Sequence, residues 1–305
     1  MPNSSFIIHH LLFITMLETE IILNPDGSIY HLHLKPEHIT PLIIFVGDPE
    51  RVGEVSKHFD SIEHRSAHRE FVAHIGTLRG QRLMAISTGI GTDNVDIVMN
   101  ELDILANIDL ETRKPKAEIT PLSIVRLGTS GSLQADIPVD SLVVSTIAVG
   151  FDNLMTFYDA PPTGEELTLA DNLTSYLEHK NDDLLIIPYV FMADKKMLQL
   201  FDNELFTKGV TVTASGFYGP QGRILRGRSA EPKLVHILNT FRQKTLMLTN
   251  LEMETAGIYG LARLLGHRAV SISAILANRI DGTFSQQAAA TVERMITTAL
   301  KILVP

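Results

Sequence analysis

The chain has 305 residues, enough for one large α/β domain or two smaller ones with a substantial buried core. Asp and Glu outnumber Lys and Arg by 35 to 26, a net charge of −9, which argues against a nucleic-acid or anionic-membrane surface and leaves any basic cluster local, aimed at a small anion. There is no cysteine, so disulfides, thiolate chemistry and Cys-based zinc sites are excluded together; the twelve histidines include no HExxH pairing, and no metal centre is expected.

In chain order, the apolar run Phe6–Leu17 is interrupted by His9 and His10 and is too short to span a bilayer. It lacks the preceding positive charge and the small-residue cleavage site of a signal peptide. Residues 1–20 are therefore expected to form a poorly ordered extension, with Met16 as an alternative start. A single domain over 21–305 follows, in a cytoplasmic protein. HLH at 31–33 is assigned to a strand. LIIFVGDPERV (42–52) is a buried strand running into a turn. REFVAHIGTLRGQRLMAISTG (69–89) predicts a hairpin about Arg79 and Gly80. TDNVDIVMNELDILANI (92–108) spaces Val95, Val98, Leu102 and Leu105 for a helix, with Asp93 as cap and Asp96 in the first turn.

Residues 110–121 are charged and proline-bearing, a surface insertion. LSIVRLGTSGSL (122–133) predicts a strand followed by a glycine-rich loop, and further strands are expected in DSLVVSTIAVG, DLLIIPYVF, GVTVTASGF and AVSISAIL. LEMETAGIYGLARLLG (251–266) predicts a helix stopped by Gly266, and the C-terminal segment places Val292, Met295, Ile296, Ala299, Leu300 and Leu303 on one helix face. Strands alternating with helices give an α/β fold, a largely parallel or mixed sheet covered on both sides.

Three glycine-bearing turns follow strands: VGDPERV, STGIGTDN and RLGTSGS. Ligands of open α/β sheets gather outside the carboxyl ends of strands, where glycines let backbone N–H groups approach an anion. None of the three matches the dinucleotide fingerprint or a P-loop. Arg51 and Arg126 accompany the first and third, and Thr129 and Ser130 add hydroxyl donors, a set suited to phosphate or sulfate. The alternative is that both arginines pair with surface carboxylates. Glu252 and Glu254, at the start of the last-but-one helix, are unremarkable as first-turn acids, yet a carboxylate there could accept both protons of a sugar diol. In GFYGPQGR (216–223), Phe217 offers a stacking face, Gln221 a donor–acceptor edge, and Arg223 a counter-charge. Phosphate, diol and planar heterocycle together suggest a nucleoside plus phosphate.

GDPERV, STGIG, RLGTSGS, FYGPQGR and LEMETAG, in that order between Tyr30 and Leu303, resemble the nucleoside phosphorylase family of the hexameric-type purine/uridine phosphorylase fold, and within it the uridine phosphorylase branch. The resemblance implies a three-layer α/β/α fold with a mixed, partly barrel-like sheet. It implies reversible phosphorolysis of uridine to uracil and ribose 1-phosphate, in pyrimidine salvage. Carried over by position, Gly47, Arg51, Arg126 and Thr129 would bind phosphate, joined by Arg69 from a neighbouring subunit. Met253 and Glu254, with Glu252 close by, would hold the ribose, joined by His31 across the same interface. Phe217, Gln221 and Arg223 would hold the base, and Arg126, Arg223 and Glu254 would carry the catalysis.

No cofactor is implied beyond phosphate as co-substrate, with Glu70 a candidate for an inter-subunit monovalent cation where Asn94 replaces a serine of some relatives. The partners implied are small molecules and further copies of the chain, as a dimer or hexamer. The purine-cleaving and hydrolytic relatives need an aspartic acid where this chain has Asn278 and Arg279, which favours a pyrimidine. A purine nucleoside phosphorylase or nucleosidase and a non-catalytic nucleoside-binding protein remain the alternatives. Departures from the pattern are the 110–121 insertion and the order of Gly and Pro in FYGPQGR.

Overall fold

A computed structural model of the chain describes residues 15–181 and 186–305. The expected N-terminal extension therefore lies outside the described residues as far as residue 14, as does the 183–185 part of the stretch read as a strand from Asp183.

The first half of the chain forms β1 (Leu42–Val46), α1 (Pro49–Ser56), β2 (Ser61–His68), β3 (Phe71–Leu78), β4 (Gln81–Ser87), α2 (Thr92–Asn107), a short pair β5 (Ile108–Asp109) and β6 (Lys114–Pro115), then β7 (Ser123–Ser132) and β8 (Leu142–Gly150). After these come α3 (Gly164–Lys180), β9 (Tyr189–Met192), α4 (Lys195–Leu200), β10 (Thr207–Thr213), α5 (Leu234–Thr240) and a small hairpin of β11 (Arg242–Gln243) and β12 (Leu246–Met247). The chain closes with β13 (Asn250–Glu252), α6 (Thr255–Leu264), β14 (Arg268–Asn278), β15 (Thr283–Phe284) and α7 (Ala288–Leu303).

One mixed sheet runs β15-β14-β8-β10-β13-β7-β1-β4-β3-β2, with β9 added on β8. β14 also pairs in parallel with β7, so β14, β8, β10, β13 and β7 close into a five-stranded ring. The period-2 alternation of β1 explains the layers. Ile43 and Phe45 pack with Val95, Val98 and Leu102 of α2 and Ile258 of α6, whereas Ile44 and Val46 pack with Val52 of α1 and Met295, Ile296 and Ala299 of α7. The result is the expected three-layer α/β/α arrangement with a partly barrel-like sheet. Among the described residues, no helix is long and apolar enough to cross a membrane.

Four local expectations are corrected. HLH at 31–33 is a turn leading out of the bridge at Ile29, because the N–H groups of His31 and Leu32 both donate to the Glu101 carboxylate rather than to a strand. The cap of α2 is Gly91, at φ 97°, and not Asp93, which lies in the first turn. Residues 128–132 are not a loop but the continuation of β7, whose glycines make room for neighbouring side chains rather than for a turn. Glu252 ends β13 rather than opening α6, and Glu254 occupies the position before the first helical residue.

Candidate active site

The carboxyl end of β1 delivers Gly47 and Asp48 to the N-terminus of α1, where the Asp48 side chain accepts from the Glu50 N–H at 3.0 Å and Pro49 starts the helix. Arg51 projects from that first turn. β7 contributes Arg126 and, two and more residues on, Gly128, Thr129 and Ser130. The turn between β13 and α6 supplies Met253 and Glu254, and the one after β10 supplies Phe217, Gln221 and Arg223. All of these line a single cleft of about 620 Å3, together with Glu252, Glu70, Ile90, Asn94, Leu276 and Phe284. A larger cleft of about 1320 Å3 lies at the opposite end of α6, around Arg263 and His267, and contains none of the expected site residues.

Arg126 is 4 % exposed and held in place on several sides. Nη2 contacts Glu254 Oε2 at 2.6 Å and Glu252 Oε2 at 2.9 Å, and Nη1 donates to the hydroxyls of Ser271 and Ser273 on β14. The guanidinium lies directly over Gly128: a methyl group at that residue would come within 2.1 Å of Nη1. Burial opposes the charge of Arg126, but the two carboxylates outweigh it and hold its pKa above the ordinary arginine value. For Glu254 burial wins and raises the carboxyl pKa against the pull of Arg126, with the like charge of Glu252 acting in the same direction as burial. Arg51 differs. Among the described residues it has no carboxylate within ion-pair distance, and burial lowers its pKa against the pull of the more distant Asp48 carboxylate, with the neighbouring charge of Arg126 adding to the effect of burial. Of the two arginines, one is neutralised from within the site and the other is left to an incoming anion.

The two glutamates are not equivalent. Glu252 accepts the Thr213 hydroxyl at 2.6 Å and the N–H groups of Glu254 and Thr255, so it binds β10 to the open end of α6. Among the described residues Glu254 accepts only from the Gly91 N–H, at 2.9 Å, and from Arg126. A carboxylate has about four acceptor positions, so Glu254 retains capacity that Glu252 has largely committed.

In the loop after β10 a single turn from Gly219 to Gln221 ends at Gly222 in the left-handed conformation, φ 68°. That turn buries Gln221 and leaves Phe217 half exposed. Arg223 folds back with its guanidinium carbon 3.6 Å from the centre of the Phe217 ring, and its Nη1 donates to Gln221 Oε1 at 2.7 Å and to the Phe217 carbonyl. Burial, then the like charge of Arg279, lowers Arg223 to about 10. Arg279 packs its chain over Gly131 and donates to the Gln221 carbonyl at 3.0 Å.

His31 and Arg69 do not line this cleft. They sit together outside its lining: His31 Nδ1 is 2.6 Å from Glu101, the His31 carbonyl faces His68 Nδ1, and Arg69, next in the chain to Glu70, lies over the Tyr30 ring. Asn278 also stays out of the cleft. Its amide donates to the Gln134 and Ile137 carbonyls, and its oxygen accepts from the Ile280 and Asp281 N–H groups. Near the cleft mouth Glu70 and Asn94 converge on Gly89, and Asn94 Nδ2 donates to the Ile90 carbonyl at 3.1 Å.

Four residues escaped the sequence reading: Gly91 with its N–H, Ser271 and Ser273 with their hydroxyls, and Glu101; Arg279 is read there only as standing in the place of an acid. Gly91 sits in a glycine turn that drew attention only as an anion loop. The serines are simply alternate residues of a strand, and Glu101 lies seventy residues from the histidine it holds.

Residues 41–304 match the sequence profile of the phosphorylase superfamily. The chain is 27% identical over 282 residues to a uridine phosphorylase of Thermococcus kodakarensis, covering 91% of this chain and 87% of that one, and 26% identical to a uridine phosphorylase of Haemophilus influenzae, covering 91% and 99%. Its structure superposes with a TM-score of 0.83, at 30% identity and covering 93% and 99% of the two chains, on a Trypanosoma brucei nucleoside phosphorylase described as showing uridine phosphorylase activity.

Proposed function

The chain belongs to the phosphorylase superfamily, and from that premise we propose that it is a pentosyltransferase catalysing the reversible phosphorolysis of uridine, giving uracil and ribose 1-phosphate in cytoplasmic pyrimidine salvage. The observation that carries this reading is the meeting, in one cleft, of Arg51, which has no ion-pair partner among the described residues, the Arg126–Glu254 pair and the Phe217–Gln221–Arg223 loop. It is supported by similarity along the whole chain to proteins described by that activity.

Phosphate fits beside Arg51, Arg126, Thr129 and the Gly47 turn. Glu254 receives the ribose hydroxyls, Met253 lies against the sugar, and Glu252 supports both from behind. Uracil stacks on Phe217 with its edge at Gln221. Cleaving the N-glycosidic bond builds positive charge on the ribose and negative charge on the departing base. The phosphate anion answers the first charge and Arg223 the second, and fixed groups aimed at developing charge are commonly the largest catalytic term. Because Arg223 and Phe217 are already in contact, the base must slide between them or displace the guanidinium from the ring. The site is completed in a homo-oligomer, where His31 and Arg69 reach the sugar and phosphate of a neighbouring copy.

A purine reading lacks its acid, since Asn278 is fully engaged with backbone groups. The test is incubation with uridine, thymidine, inosine or adenosine, with and without phosphate. Uracil release that requires phosphate is the expected result. Release without phosphate would make the protein a hydrolase, and release of purine bases alone would move it to the purine branch.

A further inference from the structure

The closed ring of strands carries a line of hydroxyl and amide groups that the proposed reaction does not use. Ser145 on β8, Thr211 on β10 and Asn250 on β13 are completely buried, and Ser130 on β7 stands at the cleft wall, 8 % exposed. Each bonds the next across adjacent strands. Ser145 Oγ lies 2.5 Å from Thr211 Oγ1, Thr211 Oγ1 donates to Asn250 Oδ1 at 3.0 Å, and Asn250 Nδ2 donates to Ser130 Oγ at 3.0 Å. A hydroxyl has one proton to give. Thr211 gives its proton to Asn250, so Ser145 is the donor in the first pair. Ser130 accepts from Asn250, so its own proton is left over, and among the described residues no acceptor takes it.

We infer that Asn250 is a positioning residue which, by donating to Ser130, fixes that cleft hydroxyl as a hydrogen-bond donor toward an acceptor oxygen of the bound nucleoside. The inference rests on the nucleoside reading above. Two features favour it over a purely structural amide. The backbone of Asn250 is already paired, with Thr211 on one side and Ser132 on the other, so β13 is held without the side chain. And the side chain connects, through Thr211 and Ser145, to a rigid interior rather than to a rotating surface group. A buried chain of this kind holds one direction of donation, because reversing it would require every member to turn.

A double-mutant cycle tests this on the full-length protein. Ser130→Ala should raise KM for the nucleoside about three- to tenfold, the worth of one ordinary hydrogen bond, with KM for phosphate little changed. Ser130→Thr, which keeps the hydroxyl, should restore it. Asn250→Asp presents an acceptor to Ser130 and turns its proton away from the cleft, so it should raise the same KM, and the Ser130→Ala/Asn250→Asp double variant should be no worse than the poorer single one. Asn250→Leu, similar in size and free of charge, replaces Asn250→Asp if thermal unfolding shows the latter to be unfolded. Effects that multiply in the double variant, or a Ser130→Ala enzyme within about twofold of the parent, would overturn the inference. The parent's own phosphate-dependent release of base reads the underlying function separately. If another nucleoside is the one cleaved, the cycle is run on that nucleoside and decides the coupling all the same; if none is cleaved or bound, both readings fall.

Discussion

At the scale of single residues, the two phosphate arginines are set apart by their neighbours. Arg126 is built into the protein by two carboxylates and two serines, while Arg51 is partly buried and, among the described residues, has no carboxylate within ion-pair distance. Removing Arg51 should therefore fall on phosphate alone. Arg51→Ala is expected to raise KM for phosphate about 10- to 100-fold, the range for one or two hydrogen bonds to a charged group, and to leave nucleoside binding nearly unchanged. Steady-state kinetics with each substrate varied in turn would show it; equal increases in both KM values would remove Arg51 from the anion site. Arg223 faces the leaving base, so Arg223→Ala should act on turnover, lowering kcat by about 10²-fold. A variant with near-normal kcat would deny Arg223 that part.

At the scale of elements, β7 shows how far local pattern carries. The apolar run of LSIVRL marks a strand from composition alone, and its continuation through Gly128 and Gly131 does not, because glycine favours turns when only near neighbours are considered. What keeps these residues in the strand is remote: the Arg126 guanidinium lies against Gly128, and the Arg279 chain lies against Gly131. Gly128→Ala should push the guanidinium off Glu254 and raise KM for phosphate by tenfold or so, more than it lowers the melting temperature; unchanged phosphate kinetics would contradict this.

The same division explains the other results. The spacing of Val95, Val98, Leu102 and Leu105 and the hairpin at Arg79–Gly80 were readable because their causes are local. The loop residues Phe217, Gln221 and Arg223 were readable as chemistry. The turn at His31 was not, since Glu101 on α2 imposes it.

On α3, Glu166 gives a pH signature of its own. Burial alone would raise its carboxyl, but the paired Arg263 and the Thr163 and Met192 N–H groups hold it at about 2. A carboxyl depressed on folding contributes stability that is complete above its unfolded value near 4.5 and is lost as pH falls toward 2. Melting temperatures of Glu166→Gln should accordingly lie below the parent's at neutral pH and converge on them in that acid window. A constant gap across it would assign the loss to packing instead.

At the scale of the whole molecule, the cleft gathers residues from α1, β7, the β10 loop and the start of α6, while His31 and Arg69 are not part of its lining. If a second copy brings those two residues to the site, complementation follows. Arg69→Ala and Arg126→Ala chains, each inactive alone, should regain about a quarter of parental activity when co-assembled as dimers at equal ratio, because half the dimers would hold one intact site of two. No recovery, with both chains inactive alone and shown to co-assemble, would mean that Arg69 does not reach the site of a neighbouring copy.

The central claim is tested most directly by phosphorus NMR of the protein with uridine and inorganic phosphate. The account predicts a sugar 1-phosphate resonance that grows as the phosphate signal declines, in step with the uracil released. Uracil accompanied by free ribose and an undiminished phosphate signal would contradict it.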